Sequence, residues 1–431
     1  MERPMSLPGR GTVMDRAALA RLDRHLLTRY VDAGKISGCV TLVAHRGEIV
    51  HLSALGMMDR EAGRPMGVDS IFRIYSMSKP ITSVAMMQLY ERGLFQLSDP
   101  VSRFIPQWRD LQVLAGGEYP DYETRPAERP MSMRDLLSHQ SGLTYGFEGG
   151  PLEDGYFKHE VYRAGTMRGR DLRSMIDRMA ELPLKFSPGD HWNYGLSTDV
   201  CGYLVEVISG QGFDEYLRKH LFDPLGMVDS GFHVPADKHQ RLASNYELDS
   251  DGRLQATDMF GADEFLEPPT FQSGGGGMVS TAHDYWRFCQ MMLNGGELDG
   301  VRILGRKTVE LMTMNHLPNN RELTSHAVGR WVDPANDGIG FGLGFAVVLD
   351  QTRTQRPGSV GEYYWEGSAS TIFWIDPVED LIVIFLTQFM PSDAYPFRNE
   401  IAQIVYPGLV EQASESDMND DSDRRQHRNL D

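Results

Sequence analysis

The sequence of 431 residues predicts an α/β (α+β) fold in which strands from both chain ends build one sheet around a mostly helical insertion. The order of local patterns carries this prediction. A helix and two strands come first, helical stretches broken by Gly and Pro fill the middle, and strand-like runs return near the end. We therefore expect a sheet domain made of residues 15–93 and 335–410, and a mostly helical inserted domain at 94–334. Residues 411–431 are acidic and almost free of apolar side chains, which predicts a disordered tail.

The first elements follow from a change in the period of apolar residues. From Asp15 to Ala33 these residues recur at spacings of three and four, which predicts an amphipathic helix, and Gly34 is a natural stop. Two apolar runs, Cys39 to Ala44 and Ile49 to Ala54, flank a short segment that contains glycine. They predict a β-hairpin.

The later elements are placed by the same signals. A helix is predicted from Ser76 to Arg92, because Gly93 follows it and Pro80 lies in its first turn, and its one buried side is expected to consist of Met77, Val84, Met87 and Leu89. Helical stretches of the middle region are predicted at Asp171 to Leu182, Thr198 to Ile208 and Ala282 to Leu293. Strand-like runs and a closing helix are predicted at Gly340 to Leu349, Ser368 to Asp376, Leu381 to Gln388 and Pro396 to Val410.

Composition excludes several classes of function. With 42 Lys and Arg against 60 Asp and Glu, the formal charge is −18, so nucleic acid is not an expected partner. The longest tight apolar run, Leu381 to Leu386, is too short to cross a membrane. Three scattered cysteines offer neither a disulfide framework nor a Cys-x-x-Cys metal site, and His-Glu-x-x-His does not occur. No secretory signal pattern precedes Asp15, so we expect a cytoplasmic protein. No metal or cofactor is expected.

The first candidate for chemistry is Ser76-Met77-Ser78-Lys79, a serine followed three positions later by a lysine at a predicted helix start. Side chains at i and i+3 share one face of a helix, so the Lys79 amine can reach the Ser76 hydroxyl. Unpaired backbone N–H groups at the helix start can also hold a developing oxyanion. The tetrapeptide alone is equally compatible with a helix-capping serine and a solvated lysine.

Two further elements strengthen this candidate. Tyr194 lies in a turn-rich segment just before a predicted helix, where its phenol can approach the serine, and Lys79 is the cation that would let it act as a base near neutral pH. Trp365-Glu366-Gly367-Ser368 leads into a predicted strand. Gly367 lets a ligand approach the backbone there, and the Ser368 N–H can serve as a second oxyanion donor. Each element alone also fits a structural role, a half-buried tyrosine and an edge-strand glycine.

The order of these three elements resembles the serine β-lactamase and penicillin-binding-protein superfamily, and most closely its family VIII carboxylesterases. Four further segments support the resemblance: Phe72-Arg73-Ile74-Tyr75, Leu136-Leu137-Ser138-His139-Gln140-Ser141-Gly142-Leu143, Pro224-Leu225-Gly226-Met227 and Ser273-Gly274-Gly275-Gly276-Gly277. It extends from about Asp15 to Val410. It implies a β-lactamase/transpeptidase-like fold, with a mainly antiparallel sheet flanked by helices and the site in the crevice beside the helical domain.

The resemblance also implies roles. Ser76 is the acylated nucleophile, Lys79 lowers the barrier to proton transfer, and Tyr194 is the base that later activates water. The Ser76 and Ser368 N–H groups form the oxyanion hole. Substrate-binding positions are Tyr75, Trp365, Glu366 and Gly367, and no metal is implied.

Two departures from the β-lactamases concern specificity. Relatives with β-lactam specificity carry Lys-Thr-Gly at the third element, whereas this chain has Trp365-Glu366-Gly367. An acid facing the crevice would repel an anionic substrate. Tyr194 is followed by Gly195 and Leu196, without the Asn that β-lactamases carry two positions after the tyrosine.

We therefore expect a serine carboxylesterase that hydrolyses short-chain esters, with weak or no β-lactamase activity. An acyltransferase that uses the same Ser-Lys-Tyr site remains an alternative, as does a catalytically silent ligand-binding protein of the same fold. The expected partner is a small-molecule ester. The sequence does not indicate the oligomeric state.

Overall fold

The fold is taken from a computed structural model that describes residues 12–147, 149–161, 170–257 and 265–411. The helices are α1 Arg16–Leu26, α2 Ser78–Glu91, α3 Met133–Leu137, α4 Pro151–Lys158, α5 Leu172–Met179, α6 Ser197–Ser209, α7 Phe213–Leu217, α8 Asp223–Leu225, α9 Ala282–Leu293, α10 Arg306–Met312, α11 Leu323–His326, α12 Gln351–Thr354 and α13 Phe397–Val405. The strands are β1 Thr12–Met14, β2 Gly38–His45, β3 Glu48–Asp59, β4 Arg64–Pro65, β5 Phe72–Arg73, β6 Gln112–Glu118, β7 Asp121–Pro126, β8 Tyr246–Leu248, β9 Leu254–Ala256, β10 Val279–Ser280, β11 Glu297–Leu298, β12 Val301–Arg302, β13 Ile339–Phe341, β14 Ala346–Val348, β15 Tyr363–Gly367, β16 Thr371–Asp376, β17 Leu381–Leu386 and β18 Leu409–Glu411.

Strands from both chain ends form one eight-stranded sheet in the order β13-β14-β15-β16-β17-β2-β3-β4. Every neighbouring pair in it is antiparallel. The two ends of the chain meet where β17 pairs with β2, from Leu381 opposite His45 to Leu386 opposite Val40. This confirms the predicted fold class and its antiparallel sheet.

Helices cover both faces of this sheet. Phe373 on β16 contacts Tyr285 of α9, with ring centroids 4.9 Å apart, and Phe385 on β17 contacts Phe397 of α13 at 4.8 Å. Phe373 pairs with Ile384, the neighbour of Phe385, so the two phenylalanines point to opposite faces. A strand covered on both faces is apolar throughout, which explains the unbroken apolar run of β17.

Helix α2 packs against α6, the glycine run at 274–277 and the β13–β14 hairpin, and is buried on nearly all sides. Sequence periodicity assigned it one buried face, but every residue from Ser78 to Met87 is buried. A helix packed between a sheet and other helices has no solvent-facing side, so amphipathic periodicity underestimates its burial. The side chains of this helix therefore face protein rather than water.

Several predicted elements differ in detail. The run Gly340 to Leu349 is a hairpin of β13 and β14 rather than one strand, because Gly344 with φ 94° turns the chain. Residues 368–370 form the turn between β15 and β16, so β16 begins at Thr371 rather than Ser368. Hairpins β6–β7, β8–β9 and β11–β12 lie between residues 94 and 334, where the sequence analysis placed no strands.

The chain termini are tied together at their described ends. Strand β1 pairs with β18, so that Thr12 lies opposite Glu411. Of the predicted tail at 411–431, only Glu411 belongs to the described residues. In the described part of the chain, each helix is too short or too polar to traverse a lipid bilayer.

A buried charge cluster ties α13 to the sheet. Glu362, which is fully buried, accepts hydrogen bonds from Arg356 at 2.8 Å, from Arg398 at 2.7 Å and from the Tyr406 hydroxyl at 2.7 Å. Burial alone would raise the pKa of Glu362, but the two guanidinium groups hold it below its ordinary value. The carboxylate is thus kept charged and paired inside the protein.

Loss of this charge should destabilise the fold. We expect Glu362→Gln to lower the free energy of unfolding by about 3 to 5 kcal/mol, because it leaves two buried guanidinium groups without their counter-ion. Urea denaturation of the purified variant measures this. Glu48→Gln, at an exposed position, is the control and should change stability by no more than about 0.5 kcal/mol. Equal stability of the two variants would contradict a stabilising role of the cluster.

Candidate active site

Ser76 lies in a single 3-10 turn, Tyr75–Met77, that leads directly into α2. The residue before it, Tyr75, has φ 42°, in the left-handed region that bulky side chains rarely adopt. The surrounding packing holds this strained residue. The Tyr75 hydroxyl accepts a hydrogen bond from Asn245 Nδ2 at 2.6 Å, and its ring packs with Ala369 and Met390. The turn therefore fixes where the Ser76 hydroxyl can point.

Lys79 lies in the first turn of α2 and is only 1% exposed. Its Nζ donates hydrogen bonds to Ser76 Oγ at 3.2 Å, to the Tyr145 hydroxyl at 3.0 Å and to the Gly275 carbonyl at 2.7 Å. These three acceptors use all three protons of an ammonium group. The interpretation of Lys79 as a solvated surface lysine is therefore wrong, and the predicted Ser76–Lys79 contact is present.

Tyr194 lies beside Lys79, in the segment just before α6. Its ring faces the amine, with Nζ 4.4 Å from the ring centroid. The Tyr194 hydroxyl accepts a hydrogen bond from Trp365 Nε1 at 3.3 Å, whereas Ser76 Oγ is bonded to Lys79. The structure therefore brings Ser76, Lys79, Tyr194 and Trp365 into one cluster.

Tyr145 is a site residue that the sequence analysis missed. Besides accepting the hydrogen bond from Lys79, its ring lies 5.4 Å from that of Tyr194 and stacks on Phe147 at 4.8 Å. Its position two residues after the motif segment that ends at Leu143 was the available signal. That signal is weak, because nothing in the local pattern shows that this loop meets α2.

The third predicted element ends a strand instead of starting one. Trp365 to Gly367 are the last residues of β15, and Ser368 lies in the following turn. A Cβ on Gly367 would lie 2.5 Å from the Ile74 carbonyl oxygen, so only glycine lets β15 pack this closely against the turn that carries Ser76. The turn with Ser368 therefore begins beside the nucleophile turn.

Strand geometry separates the two side chains before this glycine. Trp365 is buried against Tyr194, whereas Glu366 is exposed. Since successive strand residues point to opposite faces, Glu366 is directed away from the face that Trp365 shares with Tyr194. Glu366 therefore gives no reason to exclude anionic substrates, and its role in substrate binding stays a prediction.

The glycine run at 274–277 packs closely against α6 and also belongs to the site, because the Gly275 carbonyl binds Lys79. Gly274 and Gly275 lie so near α6 that a Cβ on Gly275 would collide with Asp199 Oδ2 and lie 3.1 Å from the Tyr145 hydroxyl oxygen. Asp199 Oδ1 accepts hydrogen bonds from Ser273 Oγ at 2.5 Å and from the Gly275 N–H at 3.1 Å. The sequence analysis used this run only as a segment that supports the resemblance, and it did not single out Asp199.

His139 is a second buried titratable group beside the cluster. Its ring lies 5.2 Å from that of Tyr194, and its Nε2 is 3.4 Å from Thr198 Oγ1. Burial, followed by the charge of nearby Lys79, lowers the pKa of His139 well below its ordinary value. This imidazole is therefore neutral at physiological pH and leaves Lys79 as the cation of the site.

This arrangement of side chains fits nucleophilic catalysis by a serine. A serine hydroxyl bonded to a buried lysine, with two phenols beside that lysine, provides a nucleophile and groups that can relay its proton. Within the described ranges, no cluster of His, Cys, Asp and Glu side chains has the geometry to hold a metal ion.

Comparisons with known proteins agree with the fold and the motifs. Residues 24–405 match the family model named Beta-lactamase. Esterase EstB of Burkholderia gladioli is 31% identical over 395 residues, which cover 87% of this chain and 91% of EstB. An uncharacterised protein of Mycobacterium tuberculosis is 38% identical over 366 residues, covering 84% of this chain and 88% of that protein. The solved structure of EstCE1, described as a hydrolase with promiscuous acyltransferase activity, has a TM-score of 0.76 at 27% identity, with 90% of this chain and 99% of EstCE1 covered.

The chain therefore belongs to the β-lactamase family. The match to EstB and the likeness to EstCE1 place it with the family VIII esterases of the β-lactamase-like superfamily, as the sequence motifs predicted. Family membership and the esterase relative support a serine hydrolase. The roles of the individual site residues stay predictions.

The two phenols make different contacts, which gives a test of their roles. We expect Tyr194→Phe to slow the labelling of Ser76 by a neutral fluorophosphonate by at least about 100-fold, as loss of a general base does. Tyr145→Phe should slow it less, because Lys79 keeps two of its three acceptors. Labelling rates followed by intact-protein mass spectrometry measure both. The reverse order of the two effects would assign the proton transfer to Tyr145.

Proposed function

We propose that this protein is a serine carboxylesterase that hydrolyses short-chain carboxylic esters through an acyl-enzyme on Ser76. The observation that carries the proposal is the hydrogen bond between the buried Lys79 amine and the Ser76 hydroxyl. A lysine removed from water and bonded to a serine is a costly arrangement that structure alone does not require. The esterase name of the 31% identical relative EstB supports the same reaction.

In the proposed first step, Ser76 Oγ attacks the ester carbonyl carbon and its proton passes to Tyr194, whose oxygen already accepts the Trp365 N–H. This step requires Tyr194 as the phenolate, and the Lys79 amine lies beside it, with Nζ 4.4 Å from the ring centroid. The N–H groups of Ser76 and Ser368 hold the carbonyl oxygen as it becomes an oxyanion. The bond to the alcohol oxygen then breaks, and the proton from Tyr194 leaves with the alcohol.

In the second step, water takes the place of the alcohol. Tyr194 accepts a proton from this water, which attacks the acyl carbon, and the bond from that carbon to Ser76 Oγ breaks as Oγ regains a proton. The acid is released and the free hydroxyl is restored. No cofactor takes part in the proposed cycle, and the only partner it requires is a small-molecule ester.

The surroundings of Ser76 favour neutral, apolar substrates. One aromatic wall is formed by Trp365, Tyr194 and Trp331. The ring centroids of Trp331 and Trp365 are 5.9 Å apart in a stacked pair, and those of Tyr194 and Trp331 are 5.1 Å apart. Trp365 stands where β-lactam-specific relatives carry a lysine for the substrate carboxylate. We therefore propose weak or no turnover of β-lactams.

We also propose a cytoplasmic location, which the free, buried state of all three cysteines fits.

The nucleophile is tested by removing its oxygen. Ser76→Ala should lose at least about 1,000-fold of kcat/KM for p-nitrophenyl butyrate while circular dichroism and thermal stability stay unchanged, because the covalent route is closed. Nitrocefin in parallel should be hydrolysed far more slowly than the ester by the unmodified protein. Ser325→Ala, at an exposed serine, is the control and should keep full activity. Full activity of the Ser76 variant would refute the assignment, and an inactive unmodified protein would favour a silent ligand-binding protein.

An acyltransferase is the second candidate. It is favoured by the likeness to EstCE1, whose description combines hydrolysis with acyl transfer, and by the aromatic wall, which can hold the apolar part of an acceptor alcohol. Removal of Ser76 abolishes both hydrolysis and acyl transfer, so the two reactions must be distinguished by their products.

Incubation of the unmodified protein with vinyl acetate and benzyl alcohol distinguishes the two reactions. Acetic acid as the main product supports the esterase, and benzyl acetate as the main product supports the transferase.

A further inference from the structure

Asp199 is a fully buried carboxylate whose two oxygens have different surroundings. Oδ1 accepts hydrogen bonds from Ser273 and Gly275, whereas Oδ2 is buried without a hydrogen-bond partner among the described residues. A buried carboxylate oxygen with nothing to pair it is costly, so a charge nearby must compensate. Asp199 lies in the first turn of α6, where the helix dipole provides part of the stabilisation of its negative charge.

Gly275 connects Asp199 to Lys79. Its N–H donates to Asp199 Oδ1, and its carbonyl accepts from Lys79 Nζ at 2.7 Å. The same glycine has no Cβ, and the space a Cβ would fill touches both Asp199 Oδ2 and the Tyr145 hydroxyl. The unpaired oxygen therefore lies on the side of Gly275 where Tyr145 meets Lys79.

Three titratable side chains near Asp199 bear on its charge: Lys79, Cys201 and His139. Lys79 on α2 is the cation that acts on it, and burial raises the pKa of Asp199 while Lys79 and the two hydrogen bonds oppose that rise. Cys201 on the same helix is a neutral thiol, since burial and then Asp199 raise its pKa. His139, which contacts the adjacent Thr198, is neutral for the reason given above.

We propose that Asp199 is a positioning residue of the esterase site. Its carboxylate is the counter-charge of the buried Lys79 ammonium, and its hydrogen bond to Gly275 aims the carbonyl that holds that ammonium against Ser76. Asp199 acts through Lys79 and touches no reacting atom. This inference rests on the proposed function for its effect on rate, but the charge pairing itself does not require that the substrate be an ester.

The first test is the pH dependence of Asp199→Asn. An asparagine can still accept both hydrogen bonds on Oδ1, so the change mainly removes the charge. Loss of a negative charge makes positive charge at the site less favourable, so both limbs of the pH profile of kcat should move to lower pH by about one unit. At the pH optimum of the unmodified enzyme, kcat should fall about tenfold while KM stays within about twofold.

Asp284→Asn is the matched control. Asp284 is also buried, accepts hydrogen bonds from the Asp229 N–H at 2.7 Å and from Ser230 Oγ at 3.0 Å, and has a pKa raised by burial. This variant should lose thermal stability and keep the pH profile of the unmodified enzyme. An Asp199→Asn variant that also keeps the unmodified profile overturns the proposal.

A thermal double-mutant cycle tests the pairing without any substrate. Lys79→Met and Asp199→Asn each leave one buried charge without its partner, so the double variant should lose less Tm than the two single losses added together. Strictly additive losses overturn the proposal, whatever the reaction of the enzyme is. If Asp199→Asn fails to fold, the proposal requires that the double variant folds, and a double variant that also fails to fold overturns it.

Discussion

The site depends on one buried ammonium group. Lys79 is held away from water by three oxygen acceptors, one each from Ser76, Tyr145 and Gly275, and these come from parts of the chain far apart in sequence. An unpaired cation in this position would cost several kcal/mol, so the loop with Tyr145 and the glycine run must both pack correctly before α2 can carry it. The site and the core around α2 are therefore built together.

The sheet supplies the second constraint. Strand β15 ends with Trp365, which donates to Tyr194, and with Gly367, which packs on the Ile74 carbonyl. One strand end thus orients the phenol and lies against the turn of the nucleophile. The strained Tyr75 residue belongs to the same contact, since its ring packs against Ala369 in the turn after β15. The contacts of Tyr75 with Asn245, Ala369 and Met390 stabilise this strained backbone conformation.

Local sequence patterns were sufficient where a feature depends on neighbouring residues. The Ser76–Lys79 contact follows from helix geometry, and the β2–β3 hairpin and α9 follow from their apolar periods. Patterns failed where burial is decided by distant elements. Helix α2 is buried from Ser78 to Met87 because α6, the glycine run at 274–277 and the β13–β14 hairpin pack against it, which its own periodicity cannot show. Tyr145 contacts Lys79, and Asp199 contacts Gly275, only through tertiary packing, so neither stood out in the sequence.

The central claim is that the Ser76 hydroxyl carries the acyl group. The most direct measurement is rapid acid quench of the unmodified protein during turnover of a p-nitrophenyl ester, followed by intact mass and peptide mapping. We expect a mass increase of one acyl group, located on the peptide that contains Ser76. An acyl group on any other residue, with Ser76 unmodified, would contradict it.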